Sequence, residues 1–177
     1  MNRRTFLARG AALAITAAVG SSTAQTRGSY PFEIVRQRAT LAGLRAPVRV
    51  AWLTDLHHGE FVRTPSVRAW VDAALSETPD LVALGGDLVD QTPGPDPDTE
   101  AFAELARLRA PLGVWAVAGN HDHGRYRGIG RYLARLRDAG IETLVNRGVA
   151  VRSDLYLAGI DDLRNGRPDL GAALRDR

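Results

Sequence analysis

The sequence has 177 residues, 45% of them hydrophobic, no cysteine, and a formal net charge of +3. That size and composition suit one globular domain with its own core and exclude a disordered chain, while the missing cysteines exclude disulfides, thiolate-bound zinc and a cysteine nucleophile. The charge points to no nucleic-acid partner: Arg3, Arg4 and Arg9 account for the whole excess, leaving 20 arginines against 20 acidic residues with no basic stripe among aromatics.

Residues 1–24 read as an address. Arg3, Arg4, Thr5, Phe6 and Leu7 precede a mildly apolar stretch, Ala11–Val19, and then Ser22, Thr23 and Ala24. This is the order of a secretory signal cut after Ala24, and the arginine pair resembles the twin-arginine signal of bacteria. The apolar stretch is well short of the ~20 residues of a membrane-spanning helix. Export to the periplasm or cell envelope by the twin-arginine machinery is therefore expected.

Residues 25–47 form a lead-in whose Phe32–Arg38 alternates like an edge strand. Val48–Leu53 reads as a buried strand. Thr64 and Pro65 give the cap and first turn of a helix whose apolar stripe is Val67, Trp70, Val71, Ala74 and Leu75. A second buried strand spans Asp80–Gly85. After a loop containing Pro93, Gly94, Pro95 and Pro97, Asp98 is placed to cap a helix over Thr99–Arg109. Leu112–Ala118 is the third buried strand, followed by a helix over Ile129–Ala139 that Gly140 closes. Ile141–Val145, Val149–Arg152 and Leu155–Ile160 then read as consecutive strands. This order predicts an α/β fold on a parallel sheet with a mixed continuation.

Each of the three buried strands runs into metal-binding residue types: Asp55 and His57 after the first, Asp87 and Asp90 after the second, Asn120, His121 and Asp122 after the third. Loops at the carboxyl ends of parallel strands share one crevice, so the three segments, about 30 residues apart as one βαβ crossover requires, are expected to converge. Asp55 and His57, two apart, point to one side if the backbone stays extended. Carboxylate, imidazole and amide oxygen together suit a hard-to-borderline divalent metal. His58 and His123 read as pocket-lining or solvated neighbours rather than ligands. Arg125 and Arg127 could contact an anionic substrate, although a solvated arginine is the commoner case. Gly124, Gly128 and Gly130 do not form a dinucleotide loop, since arginines interrupt them.

Asp-x-His at 55–57, Gly-Asp-x-x-Asp at 86–90 and Gly-Asn-His-Asp at 119–122, in that order, resemble the calcineurin-like metallophosphoesterase superfamily. Gly159, Ile160, Asp161 and Asp162 also resemble a strand end of its exported, phosphodiesterase-like branch. The resemblance implies a layered αββα sandwich over residues 48–177, incomplete at the C-terminus. It implies two divalent metal ions (Mn, Fe, Zn, Co or Mg) held by Asp55, His57, Asp87 as the bridging carboxylate, and Asn120. His121 would contact the phosphoryl oxygen and assist the leaving group, Asp122 would orient the His121 ring, and Asp90 would stand behind the ligands. The implied reaction is hydrolysis of phosphate mono- or diesters, with phosphodiester or phospholipid-like substrates favoured, by a metal-bound hydroxide. Substrates would be phosphorylated small molecules or lipids, the latter bringing association with a membrane surface. The family's later lone His and Gly-His-x-His have no counterpart, since no histidine follows His123. The chain is therefore expected to be the N-terminal part of a longer protein or a truncated product, and the alternative reading is a non-catalytic remnant.

Overall fold

The computed structural model describes the backbone of residues 14–24 and 28–177 and the side chains of residues 28–177. The arginine pair of the signal-like segment lies outside the described residues. Part of its apolar stretch falls in strand β1, Ala14–Ala24, antiparallel to β2, Phe32–Thr40. The lead-in strand expected at Phe32 thus pairs with the preceding segment rather than with the central sheet. No helix among the described residues is long and apolar enough to cross a membrane.

The centre of the fold follows from the three apolar runs. Strand β3 (Val50–Leu53) leads to helix α1 (Thr64–Ser76), β4 (Leu81–Leu84) to α2 (Asp98–Leu105), and β5 (Val114–Ala116) to α3 (Asn120–Tyr126) and α4 (Ile129–Asp138) before β6 (Glu142–Thr143). The four strands lie in the order β3-β4-β5-β6, all parallel. The expected α/β class is met. Strands β7 (Arg147–Arg152) and β8 (Leu155–Gly159) form an antiparallel hairpin, and a short helix α5 spans Leu170–Ala173. Strand β8 ends against the parallel sheet, where a Cβ on Gly159 would lie 2.6 Å from Val117 Cγ1 and Leu144 Cβ. That contact sets the following loop, 160–167, beside the ends of β5 and β6.

One core holds these layers. Leu53, Val82, Leu84, Val114 and Ala116 come from the sheet, Val67 and Val71 from α1, Phe102 and Leu105 from α2, and Tyr132 and Leu136 from α4. The buried Tyr132 keeps its hydroxyl satisfied by donating to the Val117 carbonyl at 3.1 Å, as a polar group removed from water must.

Three expectations need correction. Strand β3 is an edge strand and is not buried throughout: Val50 and Trp52 are 49% and 65% exposed, while Leu53 alone enters the core. Thr64 is the first residue of α1 rather than its cap, and Asp96 from the proline-rich loop accepts the Thr64 N–H at 3.0 Å in the cap's place. Asp98 likewise begins α2 instead of capping it, because its carboxylate binds Arg125 at 2.9 and 3.0 Å and the Tyr126 hydroxyl at 3.1 Å. Burial alone would raise the Asp98 pKa, but His58, Arg125 and Tyr126 outweigh it and hold it below the usual value.

Leu136 has no solvent exposure and stands where α4 meets the sheet. Leu136→Ala is expected to cost about 2–5 kcal/mol and to lower the melting temperature by on the order of 10 °C. A melting temperature unchanged by calorimetry would contradict this packing.

Candidate metal centre

Two loops leave the carboxyl ends of β3 and β4 and run side by side. Their backbones are bonded directly: Gly85 N–H to Leu53 O (2.8 Å), Asp55 N–H to Gly86 O (3.0 Å), His57 N–H to Asp87 O (2.9 Å), His58 N–H to Leu88 O (3.1 Å) and Asp90 N–H to His58 O (2.9 Å). Pairing so close requires an unusual backbone. Asp55, His57 and Asp87 all adopt the left-handed region, with φ of 55°, 47° and 51°. Each costs roughly 1–2 kcal/mol in a non-glycine residue and persists only where surroundings enforce it, most often at functional sites.

This geometry brings Asp55 and His57 to one side by a route other than the extended strand end expected. His57 Nε2 lies 3.7 Å from Asp55 Oδ1, and its Nδ1 lies 3.8 Å from Asp90 Oδ2. Asp55, His57 and Asp87 present donor atoms within 4.8 Å of one another, and so do His57, Asp90 and His121. His57 therefore belongs to both groups. The His121 ring stands edge-on to the His57 ring, with centroids 4.5 Å apart and planes at 86°.

The Asp90 carboxylate lies between the two imidazoles, 3.8 Å from His57 Nδ1 and 3.6 Å from His121 Nδ1. Burial raises its pKa, but the Thr92 N–H and the two facing rings outweigh that and keep it below the usual value. The structure differs from the sequence expectation over Asp122. Asp122 does not reach the His121 ring. One oxygen accepts the N–H groups of Asp87 (2.8 Å) and Gly119 (2.9 Å), the other those of Leu88 (3.0 Å) and Val89 (3.2 Å). The carboxylate is wholly buried, and burial pushes its pKa up to about 6 against the pull of these donors. Its function is to clamp the loop after β4 to the start of α3.

Helix α3 was not foreseen, since Asn-His-Asp-His-Gly carries no apolar period. It delivers the third segment. The His121 N–H donates to Asp87 Oδ1 at 2.8 Å, turning that carboxylate toward the cluster. Asn120, its first residue, lines the neighbouring cavity, while its carbonyl accepts from Asn165 Nδ2 at 3.0 Å.

The remaining histidines fill other places. His58 is fully buried behind the loop, 3.3 Å from Thr64 Oγ1 and 3.9 Å from Asp98. His123 is buried too and bonds Asp161 at 2.9 Å, joining α3 to the loop after β8. Of the two arginines proposed to meet an anion, Arg125 is committed to Asp98, and Arg127 lines the cavity.

The donor set fits a divalent metal. It offers carboxylate oxygens and imidazole nitrogens on one surface, and His121 Nδ1 is buried with no hydrogen-bond partner among the described residues.

A model of the calcineurin-like phosphoesterase family matches residues 48–170. The chain is 34% identical to an uncharacterized metallophosphoesterase of Aquifex aeolicus, over 65% of this chain and 42% of that protein. It is 28% identical to the uncharacterized metallophosphoesterase YkuE of Bacillus subtilis, over 98% of this chain and 64% of that one. It is 30% identical to the phosphodiesterase YaeI of Escherichia coli, over 94% of this chain and 63% of that one. The chain thus spans less than two thirds of the length of these relatives. No solved structure gives a significant match.

Gly86 sits at φ +95°, and a Cβ there would lie 2.6 Å from the Gly119 amide nitrogen. Gly86→Ala is expected to force the two loops apart, destabilising the protein by about 1–3 kcal/mol and weakening Mn²⁺ binding about tenfold or more. Titration calorimetry showing wild-type affinity would contradict the close approach.

Proposed function

This chain belongs to the calcineurin-like phosphoesterase family, and we propose that it hydrolyses phosphate esters, phosphodiesters or phospholipid-like esters foremost, at the cluster after β3, β4 and β5. The observation that carries this reading is the convergence of Asp55, His57 and Asp87 with Asp90 and His121 on one surface. The Escherichia coli relative is a phosphodiesterase by name, which supports the diester preference.

Asp55, His57, Asp87 and Asn120 are the residues proposed to hold two divalent ions, with Asp90 added by its position between the imidazoles. Such ions lower the pKa of water and neutralise charge on phosphoryl oxygens when bound. The protein's own groups do the rest. Asp87, turned by the His121 N–H, offers its free oxygen to the cluster. His121, with Nδ1 toward Asp90, has Nε2 to give a proton to the leaving oxygen. Asp122 holds the loop after β4 to the start of α3 without touching substrate. No serine, threonine or cysteine nucleophile is required.

The signal-like residues 1–24 support export through the twin-arginine route to the periplasm or cell envelope, where a lipid phosphodiester would be met at a membrane surface. A second reading, a metal-binding remnant without catalysis, rests on the cluster's drawing its imidazoles from His57 and His121 alone among the described residues.

The full chain loaded with Mn²⁺ is expected to hydrolyse bis(4-nitrophenyl) phosphate. Asp87→Asn is expected to lose about 100-fold or more of that activity, together with bound metal in elemental analysis. Metal retained without hydrolysis would favour the remnant; wild-type activity in the variant would remove Asp87 from the site.

A further inference from the structure

We propose that the cavity beside the metal centre seats a second anionic group of the substrate, so that the ester hydrolysed carries another phosphate-like charge beyond the scissile phosphorus. This rests on the phosphoesterase reading above and narrows its substrate class. The cavity has a volume of about 440 Å³ and is lined chiefly by Gln91, Asn120, His123, Arg127, Arg164 and Asn165. Gln91 directly follows Asp90, and Asn120 and His123 flank His121 and Asp122. The cavity therefore opens beside two of the three segments that build the cluster.

Its charge is one-sided. Two arginines and no carboxylate line it. Several arginines elsewhere are committed: Arg125 to Asp98, Arg63 to Asp96, Arg68 and Arg107 to Glu104. The side chains of Arg127 and Arg164 have no hydrogen bond or ion pair among the described residues. Two carboxylates beside the wall, Asp161 and Asp162, are already satisfied. Asp161 accepts from His123 (2.9 Å) and from the N–H groups of Asp162 (2.9 Å) and Arg167 (2.8 Å). Asp162 accepts from the N–H groups of Arg164 (2.9 Å) and Asn165 (2.5 Å).

Both arginines stand on fixed backbone. Arg127 closes α3 in the left-handed region at φ 51°, a position where glycine would be less costly by about 1 kcal/mol. Arg164 rides on a turn bonded to Asp162, and Asn165 ties that turn to the Asn120 carbonyl at 3.0 Å. Two uncommitted guanidinium groups among neutral amides, in a concave wall, match an oxyanion of phosphate geometry. A neutral alkyl arm would leave them unused.

The test uses two 4-nitrophenyl phosphodiesters that differ only in the second arm, propyl or 3-phosphonopropyl. The Mn²⁺-loaded chain is expected to show a kcat/KM at least about tenfold higher for the phosphonopropyl ester, as one charged hydrogen bond supplies. In the Arg127→Gln/Arg164→Gln double variant that ratio is expected to fall to near one. Hydrolysis of both esters without preference would overturn the second-anion site and leave the phosphoesterase standing. Hydrolysis of neither would overturn the phosphoesterase, and the anion site is then judged separately by calorimetry with inorganic phosphate on the metal-free chain. Saturable binding lost in the double variant supports it; no binding, or binding equal in both, overturns it.

Discussion

The Asp122 carboxylate has no contact with solvent and accepts four backbone N–H groups from two separate loops. A buried charge survives only when it is fully hydrogen-bonded, and these four donors are what a chain can supply when it bends two loop ends around one acid. The consequence reaches well past Asp122. Fixing the N–H groups of Asp87, Leu88 and Val89 fixes the loop after β4. Fixing Gly119 fixes the start of α3, and with it the His121 N–H that turns the Asp87 carboxylate. The loop after β3 is then held by its backbone bonds to the loop after β4. One acid thus sets three strand ends in a common frame.

That frame is paid for in backbone strain. Asp55, His57 and Asp87 are held left-handed, and Gly85 and Gly86 leave no room for a side chain beside Thr54, Trp52 and Gly119. The stability that offsets this comes from the core of β3–β5 against α1, α2 and α4. A rigid sheet with strained loop ends is the usual division between scaffold and site. Behind the loops, His58, Thr64, Asp98, Arg125 and Tyr126 form a polar layer joining α1, α2 and α3.

Much of this was legible in the sequence because its signals are local. Apolar runs ending in Asp or His gave the strands, their order gave the parallel sheet, and the rule that ligands gather at carboxyl strand ends gave the convergence of Asp55, His57, Asp87 and His121. What stayed hidden depends on distant partners. Nothing in the spacing shows that Asp and His will be left-handed, since only glycine announces positive φ. Helix α3 has no apolar period and exists because Asp122 anchors its first turn. Asp122 and Asp98 were assigned to neighbours in sequence, whereas each binds groups about 30 residues away in the chain. Trp52 reads as core from its type, and only its place on an edge strand exposes it.

The central claim is that these strand ends form a metal site. Anomalous X-ray diffraction from crystals of the Mn²⁺-loaded protein tests it most directly. The expected result is a manganese peak within coordination distance of Asp55, His57 and Asp87, with any second peak about 3.5–4 Å away on the side of Asn120. A map without a peak at this cluster, or with manganese bound only elsewhere on the molecule, would contradict it.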